Sequence, residues 1–533
     1  MMRWLPSLAV CAALLGAAGS AAAATTVPRA PNVLPGDAAA AGVQAAPRTW
    51  LVGARPGRTA ARIARRDGAR RIGLGIYVVA RSRARAFAGD LRVAGADGFS
   101  EPDRLARPQA VQDPLMLVGQ NWRDFIANPD LTPPAVTGTS PLLAIVDSQV
   151  DLTHPEFATG GSVQSLTSDP VTDFHGTAVA AVAGAPQNGI GVVGVWPGAR
   201  IMDFPISYPT SCSTAVQRIG QAIQYGASVI NMSFGGPGAC YSLFAAIEFA
   251  VGRGILPVAA AGNEFDQGNP IEFPASFPHV FTVAAIGPDL SSALFSNENP
   301  GVDASAPGAS IITAVPPAYD TEPPVDGYMT VDGTSFASPA VAAAAAWLRA
   351  ARPDLDGYQT GEILRETAQD LAPAGWDPST GWGLVQVDRA LSGQTPPRDI
   401  DEPNDDLDWV NGKRFGKPDR AIWTGHAPVA VGGLLDKFED PIDAYRVIVP
   451  ARTRVRIVVH SIGGDADLAV YDSRAPTVDS RRHLIARSTH TGTAPDAVGL
   501  FNRTRTRGVL YVVAYIDQRA RDLTAGYKLT LRR

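Results

Sequence analysis

Lysine, cysteine and long apolar runs are what this sequence has little of. Of its 46 basic residues only Lys413, Lys417, Lys437 and Lys528 are lysines, a bias that carries no mechanistic reading. Three cysteines occur in 533 residues, and Cys11 lies in an apolar N-terminal segment. Cys212 and Cys240 remain as a pair, 28 residues apart. In an oxidising compartment a bond between them would contribute on the order of 3 kcal/mol by loop-closure entropy; two buried free thiols are the alternative. A bonded pair leaves no thiol to act as a nucleophile. Beyond the N-terminus no run approaches about 20 uninterrupted apolar residues, which excludes a later membrane span. No His-Glu-x-x-His segment occurs, so nothing supports a zinc peptidase. The net charge of −5 argues against a nucleic-acid binder, which is ordinarily basic. With 45% hydrophobic and 18% charged residues, a disordered chain is excluded. The length suggests about three domains.

Arg3, the apolar stretch Leu5–Ala17 and the small residues Ser20–Ala24 together read as a secretory signal over 1–24. The alternative, an N-terminal membrane anchor, is disfavoured by the shortness of the run. The expectation is a secreted protein with no membrane association after signal removal.

Charge is unevenly spread. Arg48–Arg107 holds 14 Arg against 5 acidic residues, and the chain from Pro108 onward carries a balance of −15. A basic module followed by an acidic body reads either as a nucleic-acid binder or as a prosegment docking by complementary charge. An extracellular location and the lack of a nucleic-acid motif favour the second. Within the module, Thr49–Ala54 and Ile76–Ala80 read as strands and Thr59–Ala69 and Arg81–Leu91 as helices, a small α+β sandwich.

From Pro141 to about Ala390, apolar runs at Leu142–Val146, Ile201–Phe204, Val229–Met232, Ile255–Ala259 and Val280–Val283 predict buried strands. Runs apolar throughout suit a parallel sheet covered on both faces. His175–Gly184, Thr214–Tyr225, Tyr241–Arg253 and Ser335–Ala351 predict helices, so the body is α/β, with helices on both faces of the sheet. Thr395-Pro396-Pro397 and the acidic stretch after it read as a linker over 395–410. The β-rich runs beyond, without a long helix, predict a β-sandwich over 411–533.

Three segments carry chemistry. Ala144-Ile145-Val146-Asp147-Ser148 is a buried strand ending in a carboxylate. Asp173-Phe174-His175-Gly176-Thr177 places a His at a helix start. Asp332-Gly333-Thr334-Ser335-Phe336-Ala337-Ser338-Pro339 places a Ser at the start of a long apolar helix. Nucleophilic catalysis by Ser needs a base within hydrogen-bond reach and a third group to orient it. A helix start adds backbone N–H donors and a positive dipole end, which favour a developing oxyanion. Each residue alone reads more plainly as a cap, an ion-pair partner or a structural His.

Taken together and in this order, the segments resemble the subtilisin-like serine proteases (subtilases), over roughly 113–392. The resemblance implies a subtilisin-like fold at 111–394, preceded by a propeptide at 25–110, and hydrolysis of peptide bonds through Asp147, His175 and Ser335 by way of an acyl-enzyme. It implies that Asn263, in Ala260-Ala261-Gly262-Asn263, donates to the oxyanion. Ser233, Phe234 and Gly235, with Ala261 and Gly262, would bind the substrate backbone. Glu272, before Phe273-Pro274, stands near the floor of the family's specificity pocket; there it would favour Arg or Lys, unless it is a solvated loop residue. Pro186-Gln187-Asn188-Gly189-Ile190-Gly191-Val192 resembles the family's calcium loop, offering the Asn188 side chain and the carbonyls of Pro186, Ile190 and Val192, with Glu156 as a further ligand; a surface turn is the alternative. No cofactor is required for the chemistry. The implied partners are protein or peptide substrates and the chain's own propeptide, in a bacterial monomer matured between about Arg104 and Asp113.

Two positions depart from the family: Ala178 stands where His is frequent, which carries little weight, and Gln149 stands where Gly is usual, where a long side chain would crowd the cleft or add a substrate contact. This supports a rival reading, a catalytically impaired protease fold exported as a binding protein. The last segment resembles the bacterial pre-peptidase C-terminal domain over about 401–533, through Glu402-Pro403-Asn404-Asp405, Asp440-Pro441-Ile442-Asp443-Ala444-Tyr445 and Gly464-Asp465-Ala466-Asp467-Leu468. Its carboxylates read equally as calcium ligands or as a solvated acidic edge.

Overall fold

A computed structural model of the chain describes residues 4–6, 45–108 and 122–533, except 55–56, 74, 129–130, 159–161, 189–190, 324, 397, 399–401, 414–417, 439 and 518–521. The expected signal at 1–24, apart from Trp4–Pro6, and residues 109–113 of the expected maturation segment lie outside the described residues. The chain divides into two compact units, Val33–Pro396 and a smaller one formed by Met1–Asn32 and Pro397–Arg533.

The larger unit opens with β1 (Ala45–Ala54), α1 (Arg58–Asp67), β2 (Arg70–Gly73), β3 (Ile76–Ala80), α2 (Arg81–Val93) and β4 (Asp97–Pro108). Ala60, Ile63 and Ala64 of α1 and Ala84, Phe87 and Leu91 of α2 fall on one face at helical spacing and are buried against Val52, Tyr77 and Val79. Arg58, Arg62, Arg65, Arg81, Arg83 and Arg85 take the opposite face and are exposed.

The body follows with β5 (Leu142–Ile145), β6 (Val163–Ser165), α3 (His175–Gly184), β7 (Ile201–Asp203), β8 (Thr210–Ser211), α4 (Cys212–Gln224), β9 (Ala227–Met232), β10 (Phe234–Gly235) and α5 (Tyr241–Val251). Beyond these come β11 (Leu256–Ala260), β12 (Phe281–Ile286), β13 (Val302–Pro307), β14 (Ile311–Ala314), β15 (Tyr328–Val331) and α6 (Thr334–Ala351). Seven strands form one parallel sheet in the order β13-β12-β11-β9-β5-β7-β6. Its central strands lack the alternation of a half-exposed sheet because helices cover both faces. Helix α6 is buried from Thr334 to Leu348. Its alanine run, Ala342–Ala346, lets its backbone approach the sheet closely. In register Ile145 of β5 lies between Asn231 of β9 and Asp203 of β7. Asp147, Ser233 and Asp203 therefore gather at the carboxyl edge, where such sheets place their ligands. Cys212, opening α4, is disulfide-bonded to Cys240, the residue before α5, with Cα atoms 6.5 Å apart.

The smaller unit contains α7 (Leu407–Val410), β16 (Val429–Asp436), β17 (Ile442–Val449), β18 (Arg454–Ile462), β19 (Ala466–Asp472), β20 (Leu484–Ser488), β21 (Asp496–Asn502), β22 (Gly508–Ile516) and β23 (Thr524–Arg532). There are two antiparallel sheets. The first, β21-β18-β23-β16, is edged by Trp4–Pro6 paired antiparallel with β21, and on its β23 alternate residues, Ala525, Tyr527, Leu529 and Leu531, are buried. Strands β19 and β22 of the second, β17-β22-β19-β20, are buried almost throughout. The reading of 395–410 as a linker needs correction. Leu407 and Val410 pack against Ile442, Tyr471 and Tyr515, and Asn404 to Asp406 are buried. The acidic composition misleads because these side chains stand in for backbone partners. Asn404 Oδ1 accepts from the Ala444 N–H, and Asp406 Oδ1 accepts from the N–H groups of Leu407 and Val478 at 2.6 and 2.7 Å. Among the described residues no helix is long and apolar enough to cross a membrane.

Candidate active site

Strand β5 ends at Ile145, and Asp147, two residues on, is fully buried. Its Oδ1 accepts from the Ser148 N–H at 2.7 Å and from His175 Nδ1 at 2.7 Å. His175 is the first residue of α3 and is itself buried. Asp173 Oδ1 accepts from the His175 N–H at 2.9 Å and from the Ser148 hydroxyl, and that hydroxyl accepts from the Gly176 N–H at 2.9 Å. A Cβ on Gly176 would stand 1.9 Å from the Ser148 carbonyl oxygen, so only glycine allows α3 to begin this close to β5. Burial opposes a charged imidazole, but the charge and hydrogen bond of Asp147 outweigh it, and His175 is raised above its ordinary 6.5. Burial raises the Asp147 carboxyl in turn, against the opposing pull of His175.

Ser335 is buried in the first turn of α6. Pro339, four residues on, has no N–H for the Ser335 carbonyl. The Ser233 hydroxyl fills that place, donating to Ser335 O at 2.8 Å, while Ser335 Oγ donates to Ser233 O at 3.3 Å. Asn231 Nδ2 donates to Ser233 Oγ at 3.0 Å, and Ser338 Oγ donates to Asn231 Oδ1 at 2.7 Å. The Phe336 ring lies 5.7 Å from the His175 ring, which sets the start of α6 beside the start of α3.

Asn263 follows β11. Its Oδ1 accepts from Thr334 N–H at 2.8 Å and Thr334 Oγ1 at 3.0 Å. With the oxygen committed to two donors, Nδ2 must face the other way, and it is buried without a partner among the described residues. His175 Nε2 is in the same condition. Buried donors and acceptors are rarely left so. At Gly262, φ is +118°, and a Cβ would stand 2.3 Å from Asn297 Nδ2 and 3.0 Å from Glu272 Cγ. Glu272 is thus buried beside the Ala261-Gly262 backbone, not solvated on a loop. Phe273 bridges antiparallel to Gly236, which brings Ser233, Phe234 and Gly235 to the same place.

Strand β10 already has a partner on this edge. It pairs antiparallel with β4, Phe234 opposite Pro108 and Gly235 opposite Arg107, and β8 pairs with β4 through Leu105 and Ala106. Among the described residues an acidic side chain anchors the contact: Asp103 accepts from the Ser213 N–H at 2.8 Å at the start of α4, and from Ser213 Oγ and Thr49 Oγ1.

Gln149 neither crowds the cleft nor adds a contact there. It is buried, with Nε2 donating to Ser165 Oγ at 2.9 Å and Oε1 accepting from Thr167 Oγ1 at 3.1 Å. Beside it Asp203 Oδ2 accepts from the Val150 N–H at 3.0 Å and Ser165 Oγ at 2.9 Å. Burial pushes the Asp203 carboxyl well above its ordinary range.

Glu156, Asn188 and Val192 come together. Glu156 is fully buried; its Oε1 accepts from the Val192 N–H at 2.7 Å and the Tyr328 hydroxyl at 3.0 Å, and Oε2 from Asn188 Nδ2 at 3.3 Å. Pro186 stands in the same loop, and Ile190 lies outside the described residues. A buried carboxylate met among the described residues by neutral donors, with an amide whose oxygen and nitrogen exchange by a flip, fits a hard cation.

The segment patterns assign no role to Asp173, Thr334 or Glu264, whose hydrogen bonds hold the backbone of His175 and the two ends of Asn263. Asp173, a short acidic residue just ahead of a helix, was the recoverable one. Glu264 accepts from the Asn263 N–H at 2.7 Å, and burial raises its pKa.

The model of the subtilase family matches residues 138–383. Fervidolysin of Fervidobacterium pennivorans is 33% identical over 292 residues, which cover 49% of this chain and 42% of that protein. Subtilisin amylosacchariticus of Bacillus subtilis subsp. amylosacchariticus is 32% identical over 301 residues, 55% of this chain and 74% of that protein. The crystal structure of fervidolysin, described as a keratinolytic enzyme related to subtilisin, superposes with a TM-score of 0.57 at 20% identity, over 86% of this chain and 85% of that one.

Asp203 yields a stability prediction. Its pKa is raised on folding, so its contribution is whole below the unfolded value, 3.8, and is lost as pH rises toward the folded value. Asp203→Asn keeps an acceptor for Val150 and is expected to raise Tm at about pH 8 while leaving it unchanged near pH 4. A calorimetric scan at both pH values checks this, and a lower Tm at the higher pH would contradict it.

Proposed function

The chain belongs to the subtilase family of serine proteases, and from that premise we propose that it is a secreted serine endopeptidase working through Asp147, His175 and Ser335. His175 takes the Ser335 proton through Nε2, Ser335 Oγ attacks the scissile carbonyl, and Asp147 holds the proton on Nδ1 and stabilises the imidazolium. Asn263 Nδ2 and the Ser335 N–H receive the oxyanion, and water releases the acyl-enzyme. The observation that carries the reading is the pairing of two buried unsatisfied groups, His175 Nε2 and Asn263 Nδ2, around the start of α6. The hydrogen bonds of Gln149 to Ser165 and Thr167 weigh against the rival reading, a binding protein on an impaired site.

The module at 25–110 acts as a prosegment, with β4 lying along β10 as a peptide substrate would. Residues 1–24 serve as the export signal. Substrates are proteins or peptides with Arg or Lys before the scissile bond, attracted by Glu272. A structural calcium ion would be held by Glu156, the Asn188 side-chain oxygen and the carbonyls of Pro186, Ile190 and Val192; it would lend charge to a buried anion and take no part in the chemistry. The C-terminal unit is of the pre-peptidase C-terminal type.

A fluorophosphonate probe should label the wild type and leave Ser335→Ala unlabelled, with intact mass locating the label on a species shortened by about the first hundred residues. A processed, folded wild type that takes no label would overturn the proposal. Glu272→Gln should lower kcat/KM for peptides with Arg before the scissile bond by about ten-fold or more and leave peptides with Leu there nearly unchanged. A wild type that cleaves after Leu or Phe but not after Arg would contradict this role. Chelation with EGTA should lower Tm in the wild type and have less effect in Glu156→Gln; equal Tm with and without chelator would assign the loop to hydrogen bonding alone.

A further inference from the structure

The Asp147–His175 pair has a neighbour that the three-residue description leaves out. The ladder between β5 and β7 continues past both strands, with Phe204 N–H donating to Ile145 O at 2.8 Å and Ile206 N–H donating to Asp147 O at 2.7 Å. Tyr208, two residues further on, is thereby carried alongside Asp147. Its ring meets the His175 ring edge-on, with centroids 5.8 Å apart and planes at 83°. Two oxygens are then buried with no partner among the described residues: Asp147 Oδ2 and Tyr208 Oη. Asp147 Oδ1 is already used by Ser148 and His175. A buried carboxylate oxygen and a buried hydroxyl, each otherwise orphaned and side by side, satisfy one another at no further cost.

We propose that the Tyr208 hydroxyl donates to Asp147 Oδ2 and is a positioning residue of the site, acting on His175 through Asp147. The proposal rests on the catalytic reading given above. The charge around Asp147 explains why a phenol suits the place. His175, Asp173 and Asp203 surround it, with Arg218 behind Asp203. Burial, the charges of Asp147 and Asp173 and the contact with Asp147 all raise Tyr208 well above its ordinary 10.0, so the phenol keeps its proton and can only donate. A neutral donor fixes the carboxylate without competing with the imidazolium for its charge. It also draws negative charge away from Asp147 and so tempers the rise of the His175 pKa.

The sign of the effect follows. Tyr208→Phe keeps the ring and its edge contact with His175 and removes only the donor. Asp147 then pulls harder on the imidazolium proton, and the acid limb of kcat/KM moves upward by about half a pH unit. The value of kcat falls about ten-fold, with KM nearly unchanged. The low-field proton resonance of the Asp147–His175 hydrogen bond shifts as well, which a loss of packing alone would not produce. Incorporating ring-fluorinated tyrosine, a stronger hydrogen-bond acid of nearly the same shape, should move the acid limb the other way, and this covers the case in which Tyr208→Phe folds poorly. Wild-type kcat and an unmoved acid limb in Tyr208→Phe, or an unmoved limb in the fluorinated protein, overturn the proposal. If the wild type itself fails to label at Ser335, it is the catalytic reading that falls.

Discussion

A single buried carboxylate sets the terms for the rest of this structure. Asp147 stands at the end of a strand covered on both faces, where an unpaired charge is costly to hold. It is tolerated because its surroundings are built to meet it. Ser148 donates from its backbone and His175 from its ring, and Ile206 extends the sheet to fix the Asp147 carbonyl. Asp173 and Ser148 in turn lock the entry to α3, so that the His175 ring has little freedom to leave. The low dielectric that makes the carboxylate costly is also what lets it act strongly on the imidazole.

The approach of α6 is the second consequence. A helix that brings its first turn to the edge of the sheet needs small residues along its length and a way to satisfy the carbonyls of a turn interrupted by proline. Ala342–Ala346 supplies the first, and the Ser233 hydroxyl on the Ser335 carbonyl supplies the second. Thr334 then does two jobs, pinning Asn263 Oδ1 with its N–H and its hydroxyl. Three strand ends and two helix starts are tied to one another by side chains.

Strand β4 shows how the N-terminal module meets this edge. The module buries its own small core and keeps most of its arginines in solvent, while β4 pairs on one side with β8 and on the other with β10. Backbone pairing and one acidic anchor, Asp103 at the start of α4, hold the described part of the contact. Net charge indicated that the module and body would complement one another, but the register of a strand and a helix start decided where.

The elements with a strong local signal were legible in the sequence. The apolar runs of β5, β9 and β11 and the helices α3 and α6 stood where their patterns indicated, within a residue or two, because a covered parallel strand and an alanine-rich buried helix leave few alternatives. The segments around Asp147, His175, Asn263 and Ser335 were equally legible, since each needs particular neighbours to sit at an element's end. The acidic stretch before α7 was misread because buried Asn and Asp look, in sequence, like solvated ones. What only the tertiary structure decided was who partners whom: Gln149 with Ser165 and Thr167, Glu156 with Tyr328, Tyr208 beside Asp147. These contacts join residues far apart in the chain, and their geometry depends on strand order and register. No local pattern encodes either of these, because both are set by how the whole apolar surface is buried at once.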